Sequence, residues 1–161
     1  MADLLQIVPV VASGLFAGTA LGISVGEHPA REVMDAEHAR IHFDESYARV
    51  SKSQASLAVV AGASSAWLAY IGGPNRKMHA TAAVLMLGML PWTVLIIFPV
   101  NDELRSKKKL SDTEIKKGLR SWGKLHMVRT VASVAAFGLA TLSLAASCSG
   151  SEQEPRPIVS Y

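Results

Sequence analysis

The chain has 161 residues, of which 50% are apolar and 18% are charged, and its net charge is +3. Because half of the residues are apolar and long runs carry no charge, this composition disfavours a soluble domain and indicates an integral membrane protein. The positive charge does not indicate nucleic-acid binding, since Lys and Arg lie beside the ends of the apolar runs and form no separate basic module. Contact with anionic lipid headgroups explains them better.

The apolar runs predict four membrane-spanning helices, at about residues 4–26, 54–73, 79–100 and 125–147. Each run has about the 20 residues that an α-helix needs to cross roughly 30 Å of hydrocarbon. The predicted fold class is therefore all-α, an integral membrane four-helix bundle forming one domain over residues 1–148, with a disordered tail at 149–161. The first run lacks a preceding basic segment and is long for a signal peptide, so we interpret it as a span, with a signal anchor as the alternative.

The positive charges also predict an orientation in the membrane. Most of the 16 Lys and Arg residues fall in the loops 27–52 and 101–124, and few fall in the termini or the middle turn. Cytoplasmic loops carry an excess of Lys and Arg. We therefore predict that both loops are cytoplasmic and that both termini lie outside or in a lumen.

Glycine residues indicate how the helices pack. The Gly-Gly-Pro-Asn sequence at 72–75 predicts a tight turn, which makes the second and third spans an antiparallel hairpin. Gly14, Gly18 and Gly22 recur every four residues in the first span. This spacing lets helix backbones approach closely, either within the bundle or between the subunits of a homo-oligomer.

Between the first two spans, two stripes at helical spacing predict an amphipathic helical segment. The second helix is predicted to begin near Ala30 and either to project from the membrane or to bend and lie along its surface. The apolar stripe holds Val33, Ala36, Phe43, Tyr47 and Val50, and the polar stripe holds Asp35, His38, His42, Glu45, Arg49 and Lys52. His38 and His42 could bind a metal with Asp35 or Glu45, but a solvated polar face is the simpler interpretation because no HExxH motif or second cluster exists. The only cysteine, Cys148, allows no internal disulfide and no Cys-rich metal or CxxCH haem site.

Two further signals concern helix boundaries. Pro91 and Pro99 predict kinks in the third span, because each proline removes a backbone hydrogen bond and frees a carbonyl one turn earlier. In a membrane such a carbonyl must face a neighbour or a cavity. Ser111 followed by Glu114 predicts a capping box, so that the last helix begins at Asp112 and runs into the fourth span.

Polar residues converge where the last two spans end. The last helix places Trp122, His126 and Arg129 at i, i+4 and i+7, on one face. An arginine one turn inside a span normally faces the bundle, pairs with another group or extends its charged end to the interface. We expect pairing here. The residues that we expect to provide it follow the third span: Asn101, Asp102 and Glu103. This constellation is either a structural clamp between helix ends or a ligand site.

Glu27 and His28 form a second titratable pair, at the end of the first span. They either line a cavity between the helices or lie at the level of the lipid headgroups. Pro29 follows directly, and a proline is common just after the end of a helix.

The same residues form a pattern that resembles a known family. The stretches that carry it are 29–31, 91–93, 99–104 and 122–129, together with Tyr47, Gln54 and Ala55. They look like the pattern of the DUF1772 family of small four-span membrane proteins, which includes the fungal anthrone oxygenases of polyketide pathways. One position differs, since the family commonly has a neutral residue in place of Asp102. At the position of His126 the family accepts Asn as well as His, so His126 is not an obligatory base for the whole family.

The resemblance implies an oxygenase that uses O₂, without a flavin, haem or metal, to convert a phenolic, anthrone-like polycycle to a quinone. It implies that His126 is the base, since imidazole titrates near neutrality. Arg129 and Asn101 would stabilise the developing oxyanion. The residues implied in substrate binding and proton relay are Trp122 and Trp92, which flank a planar ring, and Glu27, His28 and Glu103.

Two other functions fit the sequence. One is a non-enzymatic membrane bundle, a scaffold or small-solute channel whose polar cluster only locks helix ends. The other is a metal- or haem-dependent quinone oxidoreductase. The predicted partners are a hydrophobic aromatic small molecule, O₂ and the lipid bilayer, with no nucleic acid and no bound cofactor.

Overall fold

The computed structural model describes residues 2–106 and 108–151, which are almost entirely helical. The helices are α1 (Ala2–Gly22), α2 (His28–Val33), α3 (Ala36–Ile71), α4 (Arg76–Trp92), α5 (Phe98–Arg105) and α6 (Asp112–Ser151). A first π turn, Ile23–Glu27, joins α1 to α2, and a second π turn, Thr93–Ile97, joins α4 to α5.

Four helical stretches are long and apolar enough to cross a membrane. They are Leu5–Val33, Ala36–Ile71, Arg76–Arg105 and Asp112–Ser149. The predicted all-α fold with four spans is thereby confirmed, and the chain has the helices of a multi-pass membrane protein. Its orientation across the membrane stays a prediction.

The four spans form a ring in the order α1, α3, α4, α6, in which each packs against its two neighbours. The turn at 72–75 makes α3 and α4 an antiparallel hairpin, as predicted. Gly72 and Gly73 adopt φ angles of 88° and 108° there, which L side chains rarely adopt. Gly14 packs against Phe137 of α6, whereas a side chain at Gly18 or Gly22 would meet open space.

The buried apolar side chains form two clusters. The span core lies within the four spans and comprises Ala12, Phe16, Ala20, Ala58, Ala61, Ala82, Met86, Met89 and Ala136. The end core lies at the end of the bundle that carries α2 and α5, and comprises Ile23, Ala36, Ala39, Phe43, Ile97, Leu104, Ile115, Leu119 and Trp122. Small residues in the span core let the helices approach closely.

The two π turns interrupt the first and third spans in the same way. In each, the residue after the turn donates its backbone N–H to the carbonyl five residues earlier, from His28 to Ile23 and from Phe98 to Thr93. A proline follows directly, Pro29 or Pro99, and its ring would clash with the carbonyl four residues earlier in a regular α-helix. The wider turn relieves that clash, so the break in the third span falls between Pro91 and Pro99.

The predicted start of the second helix near Ala30 is wrong. The chain is extended at Met34 and Asp35, and α3 begins at Ala36. Asp35 caps α3 by accepting a hydrogen bond from the backbone N–H of His38 at 3.1 Å. This bond holds the pKa of Asp35 below its usual range. Val33 therefore lies on α2, off the predicted apolar stripe, and is 88% exposed.

The start of α6 follows the predicted capping box. The Glu114 carboxylate accepts a hydrogen bond from the backbone N–H of Ser111 at 2.8 Å, and Ser111 Oγ accepts one from the backbone N–H of Glu114 at 3.3 Å. From there α6 runs without a break to Ser151, into the segment predicted to be disordered. The rest of that predicted tail, 152–161, lies outside the described residues.

Candidate functional site

A cavity of about 300 Å³ lies between the four spans, where the span core meets the end core. This volume is at the lower end of the range of small-molecule pockets. Its apolar wall comprises Phe16, Ile23, Phe43, Val50, Ala55, Ala58, Met89, Leu90, Val94, Ile97, Phe98 and Trp122. Its polar wall comprises Arg31, Ser46, Tyr47, Ser51, Lys52, Gln54, Thr93, Asn101, His126 and Arg129.

His126 reaches the cavity from α6 and is fully buried. Its Nε2 lies 3.4 Å from the carbonyl oxygen of Ala20 on α1. A carbonyl can only accept a hydrogen bond, so the tautomer that makes this contact carries its hydrogen on Nε2 and leaves a lone pair on Nδ1. No described residue bonds to that buried Nδ1. The Trp122 ring stacks on the imidazole, with centroids 4.7 Å apart and planes 9° apart, and fixes its orientation.

Arg129 lies one turn further along α6, on the same face. Its Nη2 donates to Gln54 Oε1 on α3 at 2.9 Å, and its guanidinium lies 5.3 Å from the centroid of Phe16. Its Nε has no hydrogen-bond partner among the described residues. The expectation that Arg129 pairs with Asn101, Asp102 and Glu103 is wrong, because α5 turns Asp102 and Glu103 outward and Arg129 meets an amide instead.

Asn101 enters the cavity from α5, one turn after the second π turn. Its side chain is fully buried, yet neither its amide nitrogen nor its amide oxygen has a hydrogen-bond partner in the described part of the chain. A buried polar group left without a partner destabilises a fold by about 1–3 kcal/mol. A bound ligand or an ordered water that bonds to the Asn101 amide would remove this cost.

Arg31 on α2 is a cavity residue that the sequence reasoning did not single out. It is 1% exposed, and its guanidinium lies 5.6 Å from the centroids of both Phe43 and Trp122. Its Nη2 donates to Glu27 at 2.7 Å and its Nε donates to His42 at 3.1 Å, while Nη1 has no partner among the described residues. The sequence signal was the spacing of Glu27 and Arg31, since residues four apart share a helix face.

The cavity wall carries cations without carboxylates. Arg31, Lys52 and Arg129 line it, and none of the described lining residues is Asp or Glu. Glu27 balances the charge of Arg31 from behind the wall, whereas Arg129 bonds to the neutral Gln54 amide and has no carboxylate partner among the described residues. A buried charge without an opposite charge is unfavourable, so the wall near Arg129 suits an anionic or electron-rich ligand.

The structure thus brings Asn101, Trp122, His126 and Arg129 together on one cavity. The other four predicted site residues do not line it. Glu27 holds Arg31, and His28 packs against the Trp122 ring at 5.8 Å between centroids.

Trp92 and Glu103 do not line the cavity either. Trp92 donates from Nε1 to the Leu125 carbonyl at 3.4 Å and so ties α4 to α6. Glu103 is exposed on α5.

The two histidines of the predicted polar stripe have local partners. His38 contacts Asp35, its helix cap, at 2.7 Å, and His42 accepts the bond from Arg31. Within residues 2–106 and 108–151, no three or more His, Cys, Asp or Glu side chains come close enough to hold a metal ion.

Comparison with known proteins identifies the family of the chain. A sequence model described as anthrone oxygenase matches residues 43–139, more than half of the chain. The chain belongs to the anthrone oxygenase family, DUF1772. No curated protein and no solved structure matches the chain. The part that matches the anthrone oxygenase model includes Gln54, Asn101, His126 and Arg129, and it begins after Arg31.

Proposed function

We propose that this member of the anthrone oxygenase family is a cofactor-independent oxygenase, which oxidises a phenolic, anthrone-like polycycle to a quinone with O₂. One observation carries the proposal: a single cavity between apolar and aromatic walls is lined by Asn101, His126 and Arg129, each of which has a polar atom without a partner among the described residues. In a purely structural clamp these groups would bond to one another. A ligand that bonds to them accounts for their exposure to the cavity.

The reaction converts a CH₂ group between aromatic rings to a carbonyl. One oxygen atom of O₂ becomes the carbonyl oxygen, and the other leaves as water with the two hydrogens of the CH₂ group. Loss of the first proton gives an electron-rich enolate, which passes one electron to O₂. The carbon radical and superoxide then form a C–O bond, and the resulting peroxide takes up a proton. Loss of the remaining C–H proton breaks the O–O bond and releases water.

The residues on the wall match the demands of these steps. His126 Nδ1 has the free lone pair needed to take the proton from carbon, and can return it to the peroxide. Arg129 and the Asn101 amide offer donors to the enolate oxygen and to the peroxide. Trp122 holds the imidazole in place by stacking, and the apolar walls keep the planar substrate away from water.

The direct test is turnover by the purified protein in lipid. A panel of anthrones is supplied while O₂ uptake and quinone absorbance are recorded. We expect one O₂ consumed for each quinone formed, and we expect His126→Ala to lower kcat by about 10²–10⁴-fold, the usual contribution of a positioned general base.

The matched control is His79→Ala, which removes a buried histidine at the far end of the same bundle. His79 bonds to Ser143 and does not line the cavity, so turnover should persist. The proposal fails if no anthrone is consumed by the wild-type protein, or if folded His126→Ala turns over at the wild-type rate.

A further inference from the structure

The cavity has a mouth on one side of the bundle. Of the residues that line it, only Lys52, Ala55, Val94 and Phe98 are exposed, and the others are buried or half-buried. Lys52 and Ala55 lie on α3, whereas Val94 and Phe98 lie on the second π turn and the start of α5. The opening, which we call the side mouth, therefore lies between the second and third spans and involves neither α1 nor α6.

The end of the cavity toward α2 is closed. Arg31, Phe43 and Trp122 cover it, each with a relative exposure of 5% or less. The Arg31 guanidinium stacks against both aromatic rings, and Glu27 holds it from behind. These packed side chains therefore separate the cavity from the aqueous phase at this end.

The side mouth is surrounded by surface suited to lipid. Ala55 and Val94 lie inside the apolar runs that span the membrane, and the neighbouring Val59 and Leu95 are 46% and 70% exposed. Apolar side chains so exposed on a spanning helix face acyl chains. Lys52 lies one turn before Ala55 and can extend its ammonium group to the headgroups. The side mouth thus lies just inside the boundary between headgroups and acyl chains.

Local structure explains why the helices separate here. The second π turn widens the third span between Thr93 and Ile97. Opposite it, α3 presents the small side chains of Ser51, Ala55 and Ala58. Larger residues at these positions would fill the gap.

We propose that the ligand enters the cavity from the lipid bilayer, through the side mouth between the second and third spans. The ligand class is an amphipathic polycyclic phenol dissolved in one leaflet, with its ring edge passing Val94 and Phe98. This inference rests on the proposed function for the identity of the ligand, and on the exposed lining residues for the route.

The route can be tested without turnover by alkylating a thiol inside the cavity. Ala58→Cys, in a Cys148→Ser background, places a thiol on the buried wall. In liposomes we expect N-cyclohexylmaleimide, which dissolves in lipid, to modify it. A sulfonated maleimide that cannot enter the bilayer should leave it unmodified from either aqueous side. If Ala58→Cys does not fold, Thr93→Cys serves as the second position.

Val94→Trp should block the side mouth, and Leu95→Trp is its control, because Leu95 is an exposed neighbour that does not line the cavity. We expect Val94→Trp to slow alkylation about tenfold or more, and Leu95→Trp to leave it unchanged. Equal rates in the two variants, or modification by the sulfonated reagent at the rate of the lipid-soluble one, would overturn the route.

The same proteins separate the two proposals. If the route is right and the reaction is wrong, Val94→Trp slows alkylation although no anthrone is oxidised. If the reaction is right and the route is wrong, His126→Ala abolishes turnover although Val94→Trp does not slow alkylation.

Discussion

The two ends of the bundle use the same residue types in opposite ways. At the end that carries the turn at 72–75, His79 Nε2 lies 2.8 Å from Ser143 Oγ, and Asn75 donates to the Ser143 carbonyl at 3.0 Å. At the cavity end, Asn101 has no partner among the described residues, and His126 keeps Nδ1 unbonded. One ring nitrogen of His79, Nδ1, also has no partner among the described residues, but His79 does not line the cavity.

This comparison separates polar groups that hold helices together from polar groups that are kept for a ligand. The Asn75–Ser143 and His79–Ser143 bonds tie the third span, and the turn before it, to the fourth span. At the cavity end, the second π turn instead separates the third span from α3. Substitutions at the two ends should therefore have opposite effects on stability and on activity.

Among the variants that test this comparison, the largest expected effect on activity is that of Arg129→Leu. Arg129→Leu should lower kcat/KM by about 10²–10³-fold, because it removes a donor to the developing oxyanion. The free energy of unfolding should change by only about 1 kcal/mol, because removing a charge that has no carboxylate partner among the described residues offsets the cost of leaving Gln54 Oε1 without its donor. Quinone formation and thermal unfolding in the same detergent provide both values.

Arg31→Leu is the comparison variant for that measurement. It breaks the ion pair with Glu27, so it should destabilise the protein by about 2 kcal/mol, less than for a fully buried pair because Glu27 is partly exposed. If Arg129→Leu unfolded as readily as Arg31→Leu, Arg129 would be a structural residue.

A second pair of variants compares the two ends directly. Asn101→Leu should lower kcat about 10²-fold, because it removes an oxyanion donor. It should leave thermal stability equal or higher, because it replaces an unbonded amide by an apolar side chain.

Ser143→Ala should do the reverse at the other end. It removes the partner of His79, which should destabilise the protein by about 1–3 kcal/mol while turnover stays unchanged. If Asn101→Leu and Ser143→Ala both changed only stability, or both changed only activity, the two ends of the bundle would not differ in role.

The smallest expected effect concerns the break before α3, which lets α2 fold over the cavity. Asp35→Ala removes the cap of α3 and should lower the unfolding temperature slightly. Asp35→Asn can also cap the helix and should therefore have an unfolding temperature close to that of the wild type. The pKa of Asp35 is lowered in the folded state. The ionised Asp35 carboxylate therefore stabilises the folded protein at neutral pH, which is above the pKa of Asp35 in the unfolded chain. This stabilisation is lost as the pH falls through the pKa of Asp35 in the folded protein.

A pH titration of unfolding temperature for the wild type and Asp35→Asn checks that sign. The wild-type protein should lose its advantage over the variant only in the acid range. An advantage that instead grew as the pH fell would contradict the role of Asp35 as an ionised cap.

Much of the fold could be predicted because it depends on local pattern. An apolar run of about 20 residues in lipid must satisfy its backbone internally, and the helix is the solution open to a single run. The Gly-Gly-Pro-Asn turn and the capping box at Ser111 are also local. Helix periodicity alone places Trp122, His126 and Arg129 on one face, so that part of the candidate site was visible in the sequence.

The partners of those residues could not be predicted in the same way. Gln54 is distant from Arg129 in sequence, and the contact depends on how α3 and α6 pack. Whether Asn101 or its neighbours Asp102 and Glu103 face inward depends on the rotation of α5, which the second π turn sets. Arg31 enters the site only because the chain breaks at Asp35 and α2 packs against Phe43.

The sequence by itself determined the four spans, their hairpin and the shared face of the last helix, since hydrophobicity and helical periodicity act over a few neighbouring residues. Only the tertiary structure decided that a cavity exists, that Arg129 meets an amide and no carboxylate, and that the cavity opens between the second and third spans. Those features depend on the relative rotation and separation of helices, which packing of distant residues sets.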